Sequence, residues 1–195
     1  MKCETYMLQD RSEILELATL LRNEGVKSYL EIGCKFGGSL WTIANKLPQG
    51  STIVALDLPQ GDKSFKDTEP HLRECVEALR KRGYHASLII GDSTDPDVVE
   101  DVYKLGPFDA CFIDANHTRE YVKKDWANYG KICKLVAFHD INFHRPGGLP
   151  AHKKPIEVRE VWDEIKKDYR HKEIIRSGLN KDGGRDNGIG VLWTV

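Results

Sequence analysis

Long apolar runs are missing from this chain. No stretch of its 195 residues approaches the roughly 20 apolar residues of a membrane span. The start, Met1-Lys2-Cys3-Glu4-Thr5, leads into no apolar run that would read as a secretion signal. Cysteine is scarce and scattered. Cys3, Cys34, Cys75, Cys111 and Cys133 make an odd set without a Cys-x-x-Cys pair, which argues against a zinc knuckle or a disulfide framework. A reducing, cytoplasmic setting is the expectation. Neither sign of charge is in excess: 29 Lys and Arg face 30 Asp and Glu, for a net charge of −1. Nothing in the chain as a whole is therefore built to attract nucleic acid or an anionic membrane. Repeats, low-complexity tracts and interdomain linkers are absent as well. What is there is ordinary for a water-soluble domain, with 40% hydrophobic and 30% charged residues. The length suits one domain, residues 1–195, and leaves no room for a second of full size.

Hydrophobic periodicity divides the chain into alternating elements. Asp10 and Glu13 read as a capping box for a helix over Arg11–Arg22, whose Ile14, Leu17, Leu20 and Leu21 share one stripe. Residues 1–25 thus form an N-terminal helical segment. Strand patterns follow at Val26–Ile32, Thr52–Leu56, Ala86–Ile90, Phe108–Ile113 and Leu135–Phe138. Helical patterns lie between them: Ser39–Leu47, a helix with Pro70 in its first turn and Gly83 as its stop, Pro96–Leu105, and Thr118–Cys133. A last helix is expected over Ile156–Tyr169. Strands at Glu173–Arg176 and Ile189–Val195 are too close together for a crossover helix, so they read as an antiparallel closing hairpin. The fold class is α/β: a Rossmann-like, doubly wound, mostly parallel seven-stranded sheet with a C-terminal antiparallel hairpin.

In such sheets ligands bind beyond the carboxyl ends of the strands. That rule selects the turn after the first strand, then Asp57 with Leu58, Gly91-Asp92-Ser93, Asp114, and His139-Asp140. Any one of these Asp residues could simply cap a helix or shape a turn. Their recurrence on one rim points to a site. The first turn, Glu31-Ile32-Gly33-Cys34-Lys35-Phe36-Gly37-Gly38-Ser39, is the most informative segment. Its glycines allow a sharp backbone turn and close approach of a ligand, and a helix start behind them favours an anionic group. The spacing is GxxxGG rather than the GxGxxG of nicotinamide enzymes.

This turn closely resembles motif I of the class I S-adenosylmethionine-dependent methyltransferases, an acid followed by GxxxGxS. The resemblance runs through most of the chain. Ile53-Val54-Ala55-Leu56-Asp57 is similar to the motif whose terminal acid accepts hydrogen bonds from the ribose hydroxyls. Ile89-Ile90-Gly91-Asp92-Ser93 is similar to the motif that flanks the adenine, and Gly188-Ile189-Gly190-Val191-Leu192 to the last strand of the family's hairpin. Phe112-Ile113-Asp114-Ala115-Asn116-His117 and Ala137-Phe138-His139-Asp140-Ile141 resemble a subgroup, methyltransferase family 24, related to sugar and macrolide O-methyltransferases. One departure is that Ile132-Cys133-Lys134-Leu135 stands where that subgroup often has Gly-Gly before its fifth strand. The resemblance implies S-adenosylmethionine held by Glu31, Gly33, Cys34, Lys35, Gly37, Gly38, Ser39, Asp57, Leu58, Gly91, Asp92, Ser93 and Asp114.

The same residues suggest a chemistry. Catechol-type O-methyltransferases carry metal-binding acids after their fourth and fifth strands, so Asp114, His139 and Asp140 are candidates for Mg²⁺ or Mn²⁺. The alternative is that Asp114 contacts the cofactor and His139-Asp140 closes the strand. Asp114, His117 and His139 are the candidate catalytic residues, with His117 as general base because imidazole titrates near neutral pH. The segment 141–155, with His144, His152 and Arg145-Pro146-Gly147-Gly148, reads as a lid or acceptor loop. Trp41 and Trp162 read as core or interface residues, Cys111 as a small apolar strand residue, and His71, His85 and His171 as surface residues. The expected reaction is methyl transfer to a hydroxyl of a small or sugar-like acceptor, with or without help from a metal. The first rival is a nucleic-acid or protein methyltransferase with the same cofactor; the support for nucleic acid is the Lys- and Arg-rich tract 153–185, which interleaves acids and fits a solvated face. A nucleotide-binding oxidoreductase is the rival from another class. Asp57→Ala should weaken cofactor binding, and Gly37→Val should abolish it with the fold largely kept. A homo-oligomer is left open.

Overall fold

The computed structural model describes residues 7–58, 68–143, 154–176 and 188–195. The elements are α1 (Arg11–Asn23), β1 (Ser28–Ile32), α2 (Gly38–Ala44), β2 (Thr52–Asp57), α3 (Thr68–Lys81), β3 (His85–Ile90), α4 (Pro96–Leu105), β4 (Phe108–Ile113), α5 (Arg119–Tyr129), β5 (Cys133–Phe138), α6 (Val158–Ile165), β6 (Arg170–Ile174) and β7 (Ile189–Trp193). The strands form one seven-stranded sheet in the order β3-β2-β1-β4-β5-β7-β6. β1 to β5 run parallel, and β7 is antiparallel to both of its neighbours. The expected fold class is the one observed. Strand order reverses between β1 and β4, so the crevice of a doubly wound sheet opens above those two strands.

Alternation along the strands divides the core. Tyr29, Ile53, Phe112 and Val191 face α1, α2 and α3. Leu30, Val54, Phe138 and Leu192 face α4, α5 and α6. Trp162 of α6 is fully buried in the second layer, and a Cβ added at Gly190 of β7 would stand 2.7 Å from its ring. That glycine is therefore the space into which the indole fits. None of the described helices is long and apolar enough to cross a membrane.

The largest differences from the sequence reading lie at three elements. The helix expected over Thr118–Cys133 ends at Tyr129, a 3₁₀ turn spans Gly130–Ile132, and Cys133 already begins β5. A Cβ at Gly130 would lie 2.3 Å from the Trp126 ring, so glycine here serves ring packing, and a 3₁₀ turn leads into the Ile132-Cys133-Lys134-Leu135 segment that departs from the resemblance. The last helix is α6 followed by a 3₁₀ turn at Lys166–Asp168, shorter than Ile156–Tyr169. β6 lies at Arg170–Ile174 instead of Glu173–Arg176, because it is an edge strand whose charged, exposed residues conceal its pattern.

The capping box forms only in part. Asp10 accepts from the backbone N–H of Ser12 at 2.7 Å and Glu13 at 3.2 Å. Glu13 does not reach back to complete the box. Its fully buried carboxylate accepts from the backbone N–H of Arg176 at 3.0 Å and of Gly188 at 2.9 Å, tying α1 to both ends of the segment that precedes β7.

Candidate active site

The glycine turn after β1 holds its shape through left-handed residues. φ is +88° at Gly33, +51° at Lys35 and +82° at Gly37. Lysine in that region is costly, and the Asp57 carboxylate at the end of β2 accepts the Lys35 N–H and fixes it. A Cβ at Gly33 would lie 2.3 Å from the Asp114 carbonyl oxygen, so this glycine lets β1 and β4 close beneath the crevice. A Cβ at Gly37 would stand 2.8 Å from Cys75 Sγ. Gly37→Val would therefore strain the fold as well as the turn, which corrects the expectation that the fold would be largely kept.

The proposed cofactor residues divide into two layers. Asp57, Leu58, Gly91 and Asp92 stand at the rim with accessible surface, and Leu58 is exposed. Glu31, Cys34 and Ser39 lie buried underneath. Glu31 accepts from Tyr29 Oη and Ser39 Oγ, both at 2.6 Å, and burial pushes its carboxyl up to about 8 against those two hydrogen bonds. Cys34 Sγ turns to the Glu31 carbonyl at 3.3 Å. These three residues brace the glycine turn from beneath. Ser93 is nearly buried, its carbonyl held by Tyr129 Oη at 2.7 Å.

Beyond β4 and β5, four side chains close on one another. Asp114 Oδ1 lies 3.2 Å from His117 Nε2 and 3.2 Å from His139 Nδ1. His117 Nδ1 lies 3.1 Å from Asp140 Oδ2, and His139 Nδ1 lies 3.3 Å from Asp140 Oδ1. Asp140 reaches this position with φ at +59°, a conformation that Asp tolerates better than most residues. Arg159 Nη1 donates to the next carbonyl, Ile141, at 3.2 Å and anchors the strand end to α6.

The cluster is electrostatically coupled. Burial opposes charge on His139, but the facing carboxylates Asp114 and Asp140 outweigh it and lift its pKa to about 9. His117 is raised in the same way, against its own desolvation. Asp114 is held well below the usual carboxylate range by the two imidazoles, despite burial. His117 is the open member, its side chain 25% exposed against 6–7% for the other three.

The donor set is one that transition metals favour, but both nitrogens of His117 and the shared nitrogen of His139 are engaged with carboxylates. Among the described residues no group of three or more His, Cys, Asp or Glu is placed to hold a metal ion. As arranged, Asp114, His139 and Asp140 do not fit a cation site.

Two neighbours escaped sequence reading. Gln9 Nε2 donates to Asp114 Oδ2 at 2.5 Å, and a Cβ at Gly38 would lie 2.6 Å from Met7 Cα. The stretch before α1 thus lies across the glycine turn. Asp125 of α5 is fully buried behind Ser93. Neither residue belongs to a motif; only the folded chain brings them to the rim. Of the expected lid or acceptor loop 141–155, residues 144–153 with His144 and His152 lie outside the described residues. Cys111 and Trp162 are buried as expected, and His85 and His171 are exposed. Against the surface expectation, His71 is half-buried and packs edge-on against Phe36.

A family model described as a methyltransferase domain, that of methyltransferase family 24, matches residues 30–141. The chain belongs to this methyltransferase family. It is an S-adenosylmethionine-dependent methyltransferase, as the glycine turn and the strand-end acids implied. The match runs from β1 to the end of β5 and includes all four members of the cluster. Curated proteins give no match to the chain. Among solved structures, it is similar to an O-methyltransferase from Bacillus cereus in complex with S-adenosylhomocysteine. The TM-score is 0.66 at 17% identity, over 95% of this chain and 82% of that one. It is similar also to the O-methyltransferase TomG of tomaymycin synthesis from Streptomyces achromogenes, in complex with S-adenosylmethionine. There the TM-score is 0.68 at 20% identity, over 94% of this chain and 80% of that one. At these identities the likeness is one of fold.

Proposed function

We propose that this methyltransferase transfers the methyl group to a hydroxyl oxygen of a small, sugar-like acceptor, with His117 as the general base. The observation that carries the reading is the partly open imidazole of His117 held between two buried carboxylates at the switch point of the sheet. The O-methyltransferases of similar fold support it.

When bound, the cofactor supplies a methyl group already activated by its sulfonium. The Asp57 carboxylate and the glycine turn would hold the cofactor, with Leu58, Asp92 and Ser93 beside the adenosine. That methyl group would be the one passed to the acceptor oxygen, with the carbon–sulfur electron pair left on sulfur. To take the hydroxyl proton, His117 must turn one ring nitrogen from its carboxylate to the acceptor, and the carboxylate it keeps then stabilises the resulting imidazolium. Because Asp114 and Asp140 also raise the His117 pKa, less of the base is free at neutral pH than of an ordinary imidazole. Met7 to Gln9, lying across the turn, exclude water from one side. Soluble cytoplasmic action on a free metabolite fits this reading.

The test is transfer of an isotopically labelled methyl group to a panel of small hydroxylated molecules, amines and RNA, with the product bond identified by mass spectrometry. Oxygen-linked label on a small molecule supports the proposal. Label confined to nitrogen or to RNA overturns it. EDTA is added in a parallel series: undiminished transfer is expected, and loss restored by Mg²⁺ or Mn²⁺ would return the cation to Asp114, His139 and Asp140.

A further inference from the structure

Asp125 is a carboxylic acid with no exposed surface, and neither of its oxygens has a hydrogen-bond partner of good geometry. Burial pushes its carboxyl up to about 7, and the side chain near enough to stabilise the charge is Ser93. Leaving such a group unpaired is costly unless it serves something.

Ser93 is otherwise fixed. Its carbonyl accepts from Tyr129 Oη at 2.7 Å and Asn128 Nδ2 at 3.4 Å, both from the α5 region that carries Asp125. The adjacent Asp92 folds Oδ1 back onto the N–H and the hydroxyl of Thr94, both at 2.8 Å. The Ser93 hydroxyl is therefore the uncommitted side chain at this end of β3. A hydroxyl has one proton and two lone pairs. With a carboxyl oxygen of Asp125 behind it as acceptor, that proton turns inward and a lone pair faces the crevice.

We infer that Asp125 is a positioning residue that sets the polarity of Ser93, so that the subsite accepts a hydrogen bond from the exocyclic amine of adenine and rejects the carbonyl of its deaminated counterpart. This rests on the reading that Gly91-Asp92-Ser93 flank the cofactor's base. A site built to pair with a donor discriminates strongly against a ligand that lacks it.

The experiment is calorimetric titration with S-adenosylhomocysteine and S-inosylhomocysteine. The proteins are the wild type, Asp125→Leu, Asp125→Asn and Ser93→Ala, each checked for folding by thermal melting. Wild type should prefer the adenosyl compound by about 10²-fold or more. Asp125→Leu and Ser93→Ala should each bring that ratio down about tenfold or more. Asp125→Asn, which still offers an acceptor oxygen, should keep most of it. An unchanged ratio in folded Asp125→Leu overturns the inference; if that variant does not fold, a ratio lost as fully in Asp125→Asn as in Ser93→Ala does so. Failure of the underlying reading looks different: Asp92→Ala and Ser93→Ala would both bind S-adenosylhomocysteine like wild type.

Discussion

His117 has each ring nitrogen within 3.2 Å of a carboxylate oxygen, and its pKa is raised accordingly. A free imidazole would be half deprotonated near pH 6.5; this one remains charged above that. Turnover of the wild type should therefore climb as pH rises past 6.5. His117→Ala should lower turnover at neutral pH by about 10²–10⁴-fold, and the deficit should shrink in alkali as the acceptor ionises unaided. Steady-state rates of both proteins along a pH series check this. Asp57 makes a second prediction. Asp57→Ala should weaken S-adenosylhomocysteine binding by about 1–3 kcal/mol, since the ribose hydroxyls lose a charged acceptor. Calorimetry showing wild-type affinity in a folded variant would remove Asp57 from the site. Both residues were legible in the sequence because Asp57 closes an apolar strand and His117 lies four residues beyond the end of another. Their partners were less so. Gln9 is 105 positions from the Asp114 it bonds, and no local pattern records such a contact.

At the scale of elements, legibility followed local chemistry. α4 and β4 fall where proline and the apolar run placed them, at Pro96–Leu105 and Phe108–Ile113. β6 did not, because hydrophobic pattern is weakest where a strand has solvent along one edge. Glu13 shows the same limit in a helix. Its sequence neighbours suggest a cap, but its carboxylate serves amides 163 and 175 residues away. Removing it would leave two backbone donors without their partner. Glu13→Ala should thus cost about 2–4 kcal/mol in urea unfolding, and Glu13→Gln, which keeps one acceptor, less than that. A variant as stable as wild type would show that the tie contributes nothing. Gly37 sits where two elements meet. With φ at +82° and Cys75 Sγ 2.8 Å from a notional Cβ, Gly37→Val should lose cofactor binding and also melt measurably lower.

The whole molecule concentrates buried titratable groups around one rim, and this ties its stability to pH. His139 has a folded pKa of about 9 against about 6.5 unfolded. The stability it contributes is fully present below pH 6.5 and is lost as pH rises through 9, on the order of 3 kcal/mol. Glu31 and Asp125, raised to about 8 and about 7, act in the same direction, because folding favours their protonated forms. The ligand-free protein should accordingly be less stable at pH 9 than at pH 6.5. Urea midpoints should show a smaller difference for His139→Gln, and an equal difference would remove His139 from this account. The surface adds little by comparison. Its exposed pairs, such as Lys172 with Glu16 and Arg119 with Glu160, neutralise basic residues in the described part of the 153–185 tract and beside it but stabilise weakly. The central claim is that one carboxylate–imidazole cluster at the switch point drives methyl transfer to oxygen. The most direct measurement is the pH–rate profile of oxygen methylation on the best acceptor, in EDTA, for wild type and His117→Ala. The expected wild-type rate rises through a raised histidine pKa, and the variant is slower by about 10²–10⁴-fold at neutral pH and recovers in alkali. A His117→Ala enzyme with the wild-type rate at neutral pH would contradict that claim.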